Sequence, residues 1–364
     1  MGDWRTDPTF AMCRELVDGA DPASFVGGAF DVRAVVTATI AMQPGDRRGS
    51  CLDAVPWGNF PHGEEVHEDV RRLHTGEGPA GRATAGLWGL CANDSRAAVA
   101  LAVPFLIPIA TDADHPHRAP ALSLLSGPAR ARHHGVASRD GLLLHRTDPR
   151  RHAPGDYDDY GVEVTGYPAG WSVAAARAAI TAEAPALLPF LHDPDPTIRI
   201  DATYVLATAA DPDHTVRTAL ATRFSAEQEA LVRAALLFAV AETTRAHAHS
   251  PTASWLRERW QDRREAPEVR LAAAIGWLCL TDEPVPVPGL VPAPVPVPVL
   301  VLVPEDLRRT VDAFATDERA HAMEALPWME AAGGSGEPGL LRCVRCMLHP
   351  EEPEPSEDPW ASWP

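Results

Sequence analysis

The chain of 364 residues contains no lysine; its 32 basic residues are all arginine, a usage that GC bias in the coding sequence explains. This absence excludes a Schiff-base lysine, the phosphate-loop lysine of nucleotide-binding motifs and the strand lysine of kinases. Cysteine is sparse as well. Cys13, Cys51, Cys91 and Cys279 stand singly and only Cys343 and Cys346 are close neighbours, which is no disulfide framework. Long apolar runs are missing: Ala97 to Ala110, the most apolar segment, is too short to span a bilayer and carries Pro104 and Pro108. The start, Met1-Gly-Asp-Trp-Arg-Thr-Asp-Pro8, lacks the basic and apolar regions of a signal peptide. These absences lead us to expect a soluble, cytoplasmic protein with no membrane partner.

Positive charge is the scarcer sign, and the formal net charge is −18. Nucleic acid is disfavoured as a partner, because such binding draws on counterions released by neutralising Lys and Arg. An acidic patch for a basic partner suits this balance, and so does plain solubility. An apolar content of 45% fills one large extended core or two ordinary ones.

What the chain has is a recurring helical hairpin. Ala186 to Leu206 reads as a short helix, an Asp/Pro turn and a second helix, with Asp195 as cap and Pro196 at the first helical position. Ile198, Ala202, Val205, Leu206 and Ala209 then form one apolar stripe. Asp211-Pro212 opens a further helix through Val216 and Leu220, and Ser225-Ala-Glu-Gln228 reads as a capping box ahead of Leu231 to Ala241. Trp255 to Trp260 and Val269 to Leu280 complete a third hairpin. Apolar–Arg pairs recur at Ile198-Arg199, Val232-Arg233 and Val269-Arg270. Upstream, Val103-Pro-Phe-Leu106 with Asp112, Asp114 and Arg118 parallels Leu188-Pro-Phe-Leu191 with Asp193, Asp195 and Arg199, and a proline inside each first helix predicts a kink. Glu64 to Leu73 and Gly81 to Leu90 read as paired helices.

This pattern divides the chain. Residues 1–50 form an N-terminal segment without a clear reading; Val35 to Ile40 suits a strand or a poor helix. Residues 51–282 read as one all-α solenoid of antiparallel hairpins, interrupted by an irregular insertion at about 127–170. The insertion starts basic and turns acidic at Asp156-Tyr-Asp-Asp159; such loops carry function or are disordered. Residues 283–304 alternate Pro and Val, the composition of a stiff polyproline II linker. In 305–349, Glu305 to Phe314 and Glu318 to Met329 read as helices, and 350–364 is an acidic, Pro-rich, disordered tail.

The Leu-Leu-Pro-Phe-Leu…Asp-Pro-Asp-Pro-Thr-Ile-Arg199 pattern resembles HEAT repeats, in particular the bacterial HEAT-like type of the phycobilin-lyase group. The intervals between Arg199, Arg233 and Arg270 are shorter than the usual HEAT period and close to a tetratricopeptide repeat, whose Trp-x-x-Leu-Gly-x-x-Tyr signature is missing. Val55-Pro-Trp-Gly-Asn-Phe-Pro-His62 through Phe105 is similar to the front of bacterial HEAT-repeat proteins. The resemblance covers residues 55 to 282 and implies a fold but no particular activity. It also implies that Asp and Arg ladders bond neighbouring turns, which makes Arg199, Arg233 and Arg270 structural by default; a ligand-binding arginine row is the alternative.

Each candidate for chemistry has a plainer explanation. Cys343-Val-Arg-Cys346 with His349 has zinc-like spacing, yet no second pair supplies a fourth ligand. On a helix, Leu340, Leu341, Val344, Met347 and Leu348 would form the apolar face beside these cysteines. His62-Gly-Glu-Glu-Val-His67-Glu68 resembles the His-Glu dipeptides with which HEAT-like deoxyhypusine hydroxylases hold iron, but His67-Glu68 stands alone and fits a solvated helix start. Gly76-Glu-Gly-Pro-Ala-Gly81 matches G-x-G-x-x-G without a preceding strand, and reads as an inter-helix turn. Asp156 to Gly161 opens like a calcium loop, but position 12 would be Tyr167 rather than Glu. His115, His117, His133, His134, His145 and His152 have no spacing that converges them and read as surface histidines.

No catalytic, cofactor-binding or metal-binding residue is therefore assigned. The expected function is a non-enzymatic scaffold that grips a protein partner, with Trp255, Trp260 and Trp277 as core or contact residues. The alternative is an enzyme on a HEAT-like scaffold, chromophore-lyase-like or, less in keeping with the charge, DNA-glycosylase-like.

Overall fold

The computed structural model describes residues 38, 41–42, 50–55, 57–59, 62–76, 78–92, 96–130, 137–139, 141–144, 171–210, 213–245, 250–281, 305–333 and 337–348. All regular structure among them is helical, as expected. The readings of Val35 to Ile40, the Asp156 loop, the Pro/Val linker, His133, His134, His145, His152, His349 and the acidic tail fall on or extend into residues outside the described ones. The chain divides into two compact units: Met1–Arg132 with Arg146–Val216, and His133–His145 with Arg217–Pro364. The division falls inside the stretch read as one solenoid.

Unit 1 begins with α1 (Ser50–Ala54) and a 3₁₀ turn at Trp57–Asn59, where the Trp57 indole N–H donates to the Leu52 carbonyl at 2.8 Å. α2 (Gly63–Thr75) and α3 (Ala80–Ala92) follow, matching the expected pair. Charge favours α2: Glu64 and Glu65 lie in its first turn and Arg72 and His74 in its last, complementing the helix dipole. Val66, Val70 and Leu73 are its buried stripe. α4 (Arg96–Thr111) packs against α2, α5 (Arg118–Leu124), α6 (Ser126–Arg130) and α7 (Trp171–Leu187), so its apolar residues are buried all round.

The two Leu/Val-Pro-Phe-Leu stretches differ locally. Val103 to Leu106 lies in mid-α4, whereas Leu188–His192 is a 3₁₀ turn that ends α7 ahead of α8 (Pro196–Leu206). Their sequels are alike: Asp112 accepts the Asp114 N–H at 3.1 Å and Asp193 accepts the Asp195 N–H at 3.0 Å. Asp195 caps α8 through the Thr197 N–H at 2.8 Å, as expected. Ser172–His192 is long and apolar enough to cross a membrane by length and composition; here it contributes Ala176, Ile180 and Leu187 to the unit 1 core.

Unit 2 is centred on α12 (Pro267–Thr281), which packs against α10 (Ala230–Arg245) and α11 (Ser250–Gln261), and also against α13 (Glu305–Ala315), α14 (Glu318–His321) and α16 (Gly339–Leu348). α9 (Thr215–Ala226) crosses the division, and α15 (Pro327–Ala332) packs on α16. The capping box is corrected. Ser225 closes α9 by donating to Ala221 O, and Glu227 instead accepts the N–H groups of Gln228 and Glu229 at 2.9 and 3.0 Å ahead of α10. The helix expected over Glu318 to Met329 is broken at Leu326, which is extended before Pro327. In α16, Leu340, Val344, Met347 and Leu348 are buried as expected, but Leu341 is exposed at 36%. Gly339 is required where it stands, since a Cβ there would overlap the Met329 backbone carbonyl.

Parts of the irregular insertion are core. Ala137, Leu142, Leu143 and Leu144 are buried, Arg139 donates to Met347 O at 2.8 and 2.6 Å, and Arg245 donates to Leu143 O. The stretches 137–139 and 141–144 are thus structural parts of unit 2, while residues 127–130 lie in α6 of unit 1.

Candidate interaction surface

The turn between α11 and α12 joins two arginines to one carboxylate in unit 2. Asp262 accepts the Arg264 N–H at 3.0 Å, repeating the Asp turns of unit 1. Glu265, in the same turn, receives Arg233 from α10 through two bonds of 2.6 and 2.9 Å and Arg259 from α11 at 3.4 Å. The two-pronged Arg–carboxylate geometry matches the planar guanidinium fork. The face of Arg233 lies 4.5 Å over the Phe224 ring, and Phe224 meets Trp255 edge-on at 5.2 Å.

Unit 1 contains the same device. Arg118 donates to Asp193 at 2.6 Å while its guanidinium covers Phe190 at 4.7 Å. In both cases an arginine near the start of a helix holds a carboxylate in a later turn. Arg199 bonds the turn of its own hairpin, and Arg270 reaches both its own hairpin and α13. Arg199 donates to Asp193 O and Pro194 O at 2.8 and 3.0 Å, and Arg270 donates to Trp260 O at 3.1 Å and stacks on Phe314. Burial, more than neighbouring Arg263, lowers the Arg270 pKa.

The three tryptophans differ in exposure. Trp260 is buried on the α11 face that also carries Thr252 and Leu256, and its ring centroid lies 6.4 Å from that of Trp277. Its indole N–H is buried without an acceptor among the described residues. Trp255 and Trp277 are half-buried. Unit 2 thus has two partly accessible indoles, Trp255 against Phe224 and Trp277 beside Trp260, a residue type suited to contact with another molecule.

The candidate metal residues do not converge. No group of three or more His, Cys, Asp or Glu side chains able to hold a metal occurs among the described residues. Cys343 is fully buried and Cys346 half-buried; burial, with smaller contributions from Cys279 and Cys346, pushes the Cys343 thiol well up. His67 stacks on Trp57 with ring centroids 5.6 Å apart and bonds Asp53 at 3.0 Å, while the neighbouring Glu68 pairs with Arg71 and Arg72. Those arginines, Arg71 first, hold the Glu68 carboxyl below its ordinary value. The Gly76–Gly81 stretch is an inter-helix turn, with Gly76 at φ +66° closing α2. Sequence reasoning missed Glu265 and Phe224, whose roles arise only from tertiary contact. No protein-family model, curated protein or solved structure matches the chain.

Proposed function

We propose that the protein is a non-enzymatic scaffold on a HEAT-like helical-hairpin solenoid, and that the partly accessible Trp255 and Trp277 contribute to contact with a protein partner. The observation that carries this is the recurring device of arginine, later-turn carboxylate and aromatic ring at Arg118–Asp193–Phe190 and Arg233–Glu265–Phe224. Such ladders hold hairpins in register in stacked repeats, which serve chiefly as binding surfaces. The half-buried tryptophans supply large, stiff contact area, the residue type enriched where truncation weakens an interface most. The acidic balance favours a partner with basic groups at the rim.

The test is affinity capture from the source cell with the full chain and with a Trp255→Ala/Trp277→Ala double variant. The expected result is a reproducible protein captured by the parent chain and lost with the double variant. Absence of any reproducible protein, or equal capture by both chains, overturns the proposal.

A further inference from the structure

A cleft in unit 1, apart from the ladder, lies between the end of α2 and the start of α3. Its volume is about 340 Å³, and Arg72, Leu73, Pro79, Arg82, Ala83 and His117 line it. That size lies at the lower end of small-molecule pockets, roughly 300–1,000 Å³.

The wall is built before any ligand arrives. His117 is 6% exposed, with Nδ1 3.3 Å from Leu73 O and Nε2 3.0 Å from Gly78 O, so the ring ties the last turn of α2 to the approach to α3. His115 supports it by accepting the His117 N–H on Nδ1 at 3.1 Å and facing His74 O with Nε2 at 3.2 Å. Pro116 sits where a side chain at Gly76 would go, at 3.0 Å from the ideal Cβ position.

Two arginines, Arg72 and Arg82, line the opening. Arg82 is exposed in the first turn of α3 and has no ion-pair partner among the described residues. That turn contains no acidic residue of its own, the free N–H groups at a helix start favour a bound anion, and the carboxylate that acts on Arg82 is the buried Asp69. Arg72 directs Nε to Glu68 at 3.1 Å and Nη1 to Asp69 at 3.2 Å, and its Nη2 makes no ion pair among the described residues. Asp69 is itself buried, packed where a Cβ at Gly86 would fall, and burial raises its pKa.

We propose that this cleft binds a small organic anion, with a carboxylate or phosphate held by Arg82 and Arg72 and an apolar body against Leu73, Pro79 and Ala83. This site is independent of the partner surface in unit 2. The experiment titrates the full chain calorimetrically with benzoate and with phenyl phosphate, using benzyl alcohol as the neutral control. Saturable binding of at least one anion is expected, with a dissociation constant of about 1 mM or tighter, and none for the alcohol. The preferred anion identifies the head group. Arg82→Ala weakens binding about tenfold or more, Arg82→Lys less, and Arg257→Ala in unit 2 not at all. Circular dichroism checks that each variant is folded. Failure of both anions to saturate, unchanged binding by Arg82→Ala, or equal loss with Arg257→Ala overturns the site.

Discussion

Arg118 and Arg233 each hold a carboxylate with the edge of the guanidinium while its face covers a phenylalanine, a combination for which an ammonium group has the wrong shape. The lysine-free composition therefore has a structural use in these turns, whatever its origin in the coding sequence. Cys343 shows the opposite control, where surroundings silence a side chain. Metal ligation and alkylation both require the thiolate, and burial opposes its formation. Because the folded thiol pKa is raised, its contribution to stability is full below the ordinary thiol pKa and is lost as pH rises from there to the raised folded value. Native-state alkylation at pH 8, read by peptide mass mapping, is expected to label half-buried Cys346 first and Cys343 about a hundredfold more slowly, with Cys343 reached at full rate only in denaturant. Equal native labelling of both would show that the Cys343 site is open.

The helices are set chiefly by their ends and by the side of each that is covered. α8 starts where Asp195 accepts the Thr197 N–H and Pro196 occupies a position whose N–H would be unused. Replacing Asp195 by Ala is expected to cost about 1 kcal/mol, within the roughly 0.5–2 kcal/mol of such caps, measured by urea unfolding; Asp195→Asn should lose much less. α10 shows the limit of reading ends from sequence. Ser225 and Gln228 have capping-box spacing, but the side chain that meets the first free N–H groups is Glu227. α4 contains Pro104 and Pro108 and still runs from Arg96 to Thr111, because neighbours cover it on every side and burial outweighs the lost backbone bonds.

Across the molecule, each unit gathers distant stretches of chain around its own core. The stretch 137–144 of the insertion belongs to unit 2, where Arg139 caps the C-terminal end of α16 by donating twice to Met347 O. Arg139→Ala leaves a buried carbonyl without these donors and is expected to destabilise unit 2 by about 1–3 kcal/mol. Hydrogen exchange in α16 should accelerate while exchange in α8 of unit 1 stays unchanged; unchanged α16 exchange would assign the 137–144 stretch no structural role.

The helices at 63–75, 80–92, 196–206 and 267–281 and the Asp turns were legible in the sequence, because apolar periodicity, caps and Asx turns act over a few residues. The sequence by itself also determined that the structural arginines recur near helix starts. Only the tertiary structure decided what they hold: Arg233 meets Glu265 across 32 positions and Arg118 meets Asp193 across 75, just as Arg139, outside any helix, meets Met347 across 208. It likewise decided that Trp260 is buried while Trp255 and Trp277 stay partly accessible, and that Leu341 leaves the apolar face of α16. The physical reason is range. A local pattern specifies which side of a helix is apolar, whereas the identity of the neighbour depends on how several helices pack together.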